Sequence, residues 1–431
     1  MFEKLLFDRI YRLPVLILLI TINAGFDWSG IPFPTIFSWF INFSTIYFLL
    51  QFKKLYKNRN LLLEAYFWWL LFETIRGAFI AENYWEWKQL ITGFLSLSLP
   101  LFVYAFVQPY ILQKVLFVWI KIAIPFFIVF LPILSHGAYH FYLGPIFLLG
   151  CFIPILPRKW KIIISVLLVI MLFIDWGARS QVIKSAVVLL VALGIYYRHW
   201  ISINILKTVH WICYAAPIIL LILGISGTFN IFEDLASNKG KYMERKVVDG
   251  KVVTEDLSAD TRTFIYQEVI TSALKHHYVI WGRTPARGND SMAFGKYTAD
   301  ELKTGKYERH ANEVCHPNVF TWLGLVGVIL YSLIYLRSSY LAVYKSNNIY
   351  IKYLGCFIAF RWAYGWIEDI NQFDIANIAL WMMIAMGISI RFRSMSNKEF
   401  SCWMRTIFIN TDQIRQLYNK FKLRITKTSH L

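Results

Sequence analysis

Apolar stretches long enough to cross a bilayer recur from end to end of this chain, and that limits its fold more than any other feature. A crossing helix needs ~20 apolar residues. With no water in the hydrocarbon, its backbone N–H and C=O groups must be satisfied internally. Spans are expected near 13–31, 33–51, 61–81, 90–108, 112–133, 139–156, 161–176, 180–197, 209–228, 317–336, 349–367 and 374–391. The expected fold is therefore an all-α, polytopic membrane helical bundle of about twelve transmembrane helices. Composition agrees: 57% of the 431 residues are hydrophobic and 18% aromatic, unlike soluble domains. No small-residue cleavage site follows the apolar run after Met1–Arg12, so a retained first helix is expected rather than a signal peptide.

The formal net charge of +18 would suit a nucleic-acid partner, but its distribution argues against one. Basic residues gather in alternate short connections: Lys53, Lys54, Lys57 and Arg59; Arg158, Lys159 and Lys161; Arg198 and Lys207; Arg337 and Lys345. The tail, 392–431, adds Arg393, Lys398, Arg405, Arg415, Lys420, Lys422, Arg424 and Lys427. The intervening connections carry Asp27, or Glu82 and Glu86, or Glu368, Asp369 and Asp374. Positive charge collects on the cytoplasmic side of membrane proteins. Both termini are therefore expected to be cytoplasmic, with the tail against anionic lipid headgroups. Cys151, Cys213, Cys315, Cys356 and Cys402 are scattered and give neither a disulfide framework nor a metal-ligand spacing.

One connection breaks the rhythm. Residues 229–315 form a polar loop with thirteen basic and thirteen acidic side chains. It is expected on the non-cytoplasmic side, between an N-terminal block, 1–228, and the last spans, 316–391. Within it, Asp260–Trp281 sets Phe264, Ile265, Val269, Ile270, Ala273 and Leu274 at helical spacing. That predicts an amphipathic helix against the membrane or the bundle. Lys239–Asp256 reads as a flexible or hairpin excursion turning at Asp249-Gly250.

Charges inside spans are costly and mark sites by default. Here they share the outer half: Glu73 and Arg76, Arg179 and Lys184, Arg361, and His316 at the start of its span. Ordinary readings stand beside each. Glu73–Arg76 reads first as a neutralised structural pair, Lys184 equally as a snorkelling side chain, and Glu368, Asp369 and Asp374 as loop acids. His276 and His277 read as facing headgroups. Arg179 and His316 stand where helices run inward, and unsatisfied N–H groups at such a helix start favour anions. Pro317 suits the first helical turn, which predicts His316 as the cap or its neighbour, at the boundary of water and membrane. A neutral imidazole held there could serve as a general base.

Trp176-Gly177-Ala178-Arg179-Ser180-Gln181 leads into a long apolar helix. Thr261-Arg262 leads through Tyr266 and Ala273-Leu274-Lys275-His276-His277 to Trp281-Gly282-Arg283, and His316 is followed by Gly327. In this order these motifs resemble the O-antigen ligase and polymerase superfamily of bacterial surface-glycan assembly, over roughly residues 160–370. Pro317 stands where the ligases carry Asn, Ser or Gln, and Leu330 where Gly, Thr or Tyr is usual.

The resemblance implies an inner-membrane, metal-independent, inverting glycosyltransferase that needs no cofactor. It would move a glycan from undecaprenyl diphosphate to an acceptor hydroxyl on the periplasmic face. The acceptor is lipid A–core for a ligase, another lipid-linked repeat unit for a polymerase, and Ser or Thr for a protein O-oligosaccharyltransferase. The spacing of His316 and Gly327 leans toward ligase. His316, Arg179 and Arg262 would be catalytic, and Arg179, Arg283, Arg287, Arg361 and Lys184 would bind the diphosphate. The partners would be the lipid-linked donor, the acceptor and membrane lipids. A lipid-linked oligosaccharide flippase is the rival from another class. Transporters place polar groups near mid-membrane at a repeat interface, whereas here they cluster outward and no repeat shows. A purely structural or regulatory membrane partner would have no need to gather His316 with several arginines.

Overall fold

The computed structural model describes residues 2–31, 33–55, 60–174, 179–226, 243–248, 251–256, 262–292 and 294–408. The fold is 76% helix, with two short two-stranded ribbons among the described residues. Six helical stretches are long and apolar enough to cross a membrane by length and composition: Thr35–Lys53, Tyr84–Phe106, Pro109–Phe130, Arg179–Tyr196, Ile203–Ile225 and Cys315–Tyr344. Ile203–Ile225 is the plainest, with only 11% of its apolar window buried. Ile212, Ile219 and Ile222 point outward, a surface that water would not tolerate in a monomer.

Leu61–Ile80 and Ile349–Tyr364 are helices close to the expected bounds, but two other expected spans differ in form. Residues 374–391 contain a helix of 14 residues, Ile375–Ile388, short of the ~20 that a crossing needs. It is apolar on every side and almost wholly buried, as a central helix must be. The 139–156 run is not one helix. It folds as Ala138–Tyr142, Pro145–Cys151 and a turn at Ile153–Ile155. Gly144 and Pro145 break it where the chain passes the central helix. A Cβ on Gly144 would stand 2.3 Å from the Ala376 backbone. Hydropathy registers only that such a run is apolar, not that it bends around a neighbour.

The Cys315–Tyr344 helix carries the most consequential break. Gly324 has φ +66° and ψ −169°, which leaves several backbone groups without helical partners. The long loop supplies them. Leu325 N–H donates to Val279 O at 2.9 Å and Val326 N–H to Ile280 O at 3.4 Å, while Arg283 N–H donates to Thr321 O at 2.6 Å. The Trp69 indole donates to Leu323 O at 2.9 Å. Residues 279–283 thus run along the broken helix, with Gly282 against Gly324.

Elsewhere the loop holds the Thr263–Lys275 helix at the place that amphipathic spacing predicts. A hairpin pairs Met243–Val248 with Lys251–Asp256, Val248 against Lys251. The tail departs from expectation. Asn397–Thr406 forms a capped helix that docks on the bundle: Trp403 donates to Pro109 O, Arg405 to Ile155 O and Gln113 to Thr406 Oγ1. Apolar Phe400, Trp403 and Met404 account for the docking, since all three are buried. Residues 409–431, 175–178 and 227–242, with Lys57, Arg59, Asp249, Gly250 and Thr261, lie outside the described residues.

Gly324 should be irreplaceable. A Cβ there would lie 2.2 Å from Ile280 O, on top of the cost of a positive φ. Gly324→Ala is expected to destabilise by ~2–4 kcal/mol and to lower the thermal unfolding midpoint in detergent. Gly137→Ala, with nothing within 4 Å, should leave the midpoint unchanged. An unaltered midpoint for Gly324→Ala would contradict the pairing at the break.

Candidate functional site

His316 is the second residue of its helix, whose N-cap is Val314, so it sits inside the first turn rather than at the cap. It is also not at the water boundary, being 1% exposed. The first-turn N–H groups that a helix cannot satisfy itself are taken up by the turn that follows Ile349–Tyr364. Cys315 N–H donates to Glu368 O at 3.1 Å and His316 N–H to Gly365 O at 3.2 Å. The imidazole Nε2 lies 3.0 Å from Trp362 O. A carbonyl can only accept, so Nε2 carries the proton and Nδ1 of the neutral ring holds a lone pair. Nδ1 is buried with no partner among the described residues, and so are the indole nitrogens of Trp362 and Trp366. Those two rings flank the imidazole, at 5.3 and 4.4 Å between centroids.

The same turn gathers the cations. Glu368 Oε1 accepts from Lys184 Nζ at 2.7 Å and Gln181 Nε2 at 3.4 Å, and Oε2 accepts from Arg361 at 3.2 Å. Burial pushes the Glu368 carboxyl up, but Lys184 and Arg361 outweigh it and hold it below the usual range. Two buried cations thus share one carboxylate. Lys184 is 6% exposed and does not snorkel, and Arg361 finds its partner seven residues on. Arg262, at the N-cap of the loop helix, donates through Nε to Ile367 O at 3.2 Å. Tyr266 donates to Trp366 O. Arg179 opens the Arg179–Tyr196 helix. The fields of Arg361, Arg262 and Arg179 all reach the Tyr364 hydroxyl, as does that of Glu368. The remaining acids serve locally. Asp374 caps the central helix through Asn377 N–H at 2.8 Å, and Asp369 accepts from Asn371 N–H at 3.1 Å.

The structure does not bring Arg283 and Arg287 to this cluster. Both are clamped within the loop by Glu308, and Arg283 also by Asp290. Burial raises Asp290, yet hydrogen bonds from Lys275, His276 and Arg283 hold it down to about 2. Arg283 and Arg287 line a separate cavity with Arg76, His276 and His277. Arg76 pairs with Glu73 at 3.0 Å and donates to Gly282 O. The single outer cavity expected from the sequence is therefore two groups, held by different acids. Trp362, Tyr364 and Trp366 carry no signal in the sequence beyond their nearness to Arg361, and Gln181 none beyond its place in the 176–181 motif.

The arrangement can do two things. Arg361, Arg262 and Arg179 can act on an anion beside Tyr364, and His316 Nδ1 can accept a proton. Among the described residues no three His, Cys, Asp or Glu side chains are grouped to hold a metal ion. No family model, no curated protein and no solved structure matches this chain.

Asp369 supplies a test of the turn. Burial pushes its carboxyl up to about 7 against the Asn371 hydrogen bond. The unfolded value is near 4, so the folded state binds the extra proton and stability falls as pH rises from 4 through 7. Asp369→Asn keeps the acceptor and removes the charge. It should raise the unfolding midpoint at pH 8 and change little at pH 4; the reverse pattern would contradict the burial of this carboxyl.

Proposed function

We propose that this protein is a membrane glycosyltransferase. In this reading it moves a glycan from undecaprenyl diphosphate to an acceptor hydroxyl on the outer face of the bacterial inner membrane, in the manner of the O-antigen ligases and polymerases. About twelve membrane passages, cytoplasmic termini and a periplasmic 229–315 loop belong to the same reading and rest on the alternation of basic connections.

The observation that carries it is the buried Nδ1 of His316, without a partner among the described residues, beside a carboxylate, Glu368, that two buried cations, Lys184 and Arg361, share. Buried polar atoms are nearly always paired, so an orphan lone pair flanked by two orphan indole N–H groups suits a bound polar ligand. A hydroxyl donating to Nδ1 becomes nucleophilic as it loses its proton. It attacks the anomeric carbon from the face opposite the diphosphate, and the C–O bond to the leaving group breaks with inversion. The charge gathering on the diphosphate is met by Arg179, Arg262, Arg361 and Lys184. Such contacts, strongest in the transition state, are what accelerate a reaction.

Variants separate chemistry from architecture. Glutamine can reproduce the Nε2–H donation to Trp362 O but cannot act as a base. His316→Gln should therefore fold normally and lose ~100-fold or more in transfer. Arg179→Lys, a point charge in place of a fork, should cost ~2–4 kcal/mol, or roughly 30- to 1000-fold in rate, and Arg262→Ala should behave alike. Transfer assayed on purified, folded variants decides. A fully active His316→Gln protein would reduce the histidine to packing and move the search for a base to Asp369 or Asp374.

A further inference from the structure

Three arginines and two histidines face one cavity of about 410 Å³, and among the described residues no carboxylate lines it. The cavity lies between the outer end of Leu61–Ile80 and the loop segment that follows Thr263–Lys275. The acids that hold its arginines stand behind them. Glu73 and Gly282 O take the two terminal nitrogens of Arg76, Glu308 takes Nε and one terminal nitrogen of Arg287, and Asp290 with Gly288 O takes one terminal nitrogen of Arg283 while Glu308 takes the other. Arg287 keeps its other terminal nitrogen, and Arg76 and Arg283 keep Nε, without a hydrogen-bond partner among the described residues. A guanidinium anchored through part of its fork offers the rest to phosphate oxygens in a fixed direction.

His277 adds to this. It ends the loop helix with φ +56°, a conformation that glycine ordinarily supplies at a helix end, and so sets an imidazole on the cavity wall. The opposite border is aromatic. Trp281 stacks on Trp69 at 5.3 Å and leans on Phe72 at 6.1 Å. Trp281 is 50% exposed and nearby Phe79 is 87% exposed. Indole and phenyl surface beside a cationic pocket matches the boundary between lipid headgroups and chains.

We infer that this cavity binds the phosphate of a membrane lipid, whose chain lies along the Phe72–Trp281 face. Free phosphate would use the cations and ignore the aromatic face. The inference stands apart from the transferase reading. Joined to that reading, it makes the occupant the phosphate-bearing acceptor, its phosphate held here while its hydroxyl reaches His316.

The full-length protein in zwitterionic detergent is titrated calorimetrically with dioctanoyl phosphatidic acid, dioctanoyl phosphatidylcholine and inorganic phosphate. Phosphatidic acid is expected to bind saturably, at least ~10 times more tightly than inorganic phosphate, and phosphatidylcholine not to bind. Combining His277→Gly, which relieves a positive φ, with Arg287→Gln should weaken phosphatidic acid ~10-fold in protein that still unfolds cooperatively. Arg76→Gln, tested alone, should weaken it too and serves if the double variant unfolds. His316→Gln should bind phosphatidic acid normally, so failure of the transferase assignment and failure of this site are told apart. Equal affinity for inorganic phosphate would make the ligand a free anion and overturn the lipid assignment. Equal binding of phosphatidylcholine, or unchanged affinity in folded Arg76 and Arg287 variants, would overturn the site.

Discussion

The Glu368 carboxylate and the turn that carries it tie several helices and the long loop together. The carboxylate bonds Lys184 and Arg361 from two different helices. The carbonyls of Gly365 and Glu368 take the free N–H groups of the His316 helix. Those of Trp366 and Ile367 take Tyr266 and Arg262 from the long loop. Removing one partner of a buried ion pair costs ~3–5 kcal/mol because the other charge stays behind unpaired. Glu368 has two such partners, so its loss would expose both and free the elements they anchor. The position of His316 depends on the same turn and the helix before it, since its backbone bonds to Gly365 O and its ring to Trp362 O.

This dependence gives a physical account of how chemistry could be placed in a protein that is mostly hydrocarbon-soluble. Cations inside an apolar bundle need a counter-charge, yet a site for a diphosphate needs positive charge to spare. Sharing one carboxylate between Lys184 and Arg361 meets both needs. The break at Gly324 solves a related problem. It lets the loop reach down beside the His316 helix, and the hydrogen bonds that the break leaves open are closed by Val279, Ile280, Arg283 and Trp69. The two glycines that meet there, Gly282 at φ +80° and Gly324 at φ +66°, allow an approach that any side chain would block.

Features governed by local spacing could be read from the sequence. The amphipathic helix at Thr263–Lys275, the pairing of Met243–Val248 with Lys251–Asp256 and the place of Pro317 in the first turn of its helix all follow from periodicity and residue type. Features governed by distant pairing could not. Glu368 reads as an ordinary loop acid because nothing in its neighbourhood announces Lys184, far off in the chain. Arg283 and Arg287 look like partners of Arg262 by nearness in sequence, but Glu308 and Asp290 draw them elsewhere. The 139–156 run looks like a span because hydropathy cannot register that Gly144 passes close to Ala376. His316 was expected at the water boundary, and its burial depends on two tryptophans contributed by another helix and its turn.

The central claim is that the His316 cluster transfers a glycan from a lipid diphosphate, and the most direct measurement follows both products at once. Purified protein in nanodiscs is supplied with undecaprenyl-diphosphate-linked glycan and acceptor in excess EDTA, and free undecaprenyl diphosphate and newly linked glycan are quantified together. The account predicts equal amounts of the two, formed with inversion at the anomeric carbon and undiminished by the chelator. Donor consumed without a new glycosidic bond, donor carried across the membrane unchanged, or activity abolished by EDTA and restored by magnesium would contradict it.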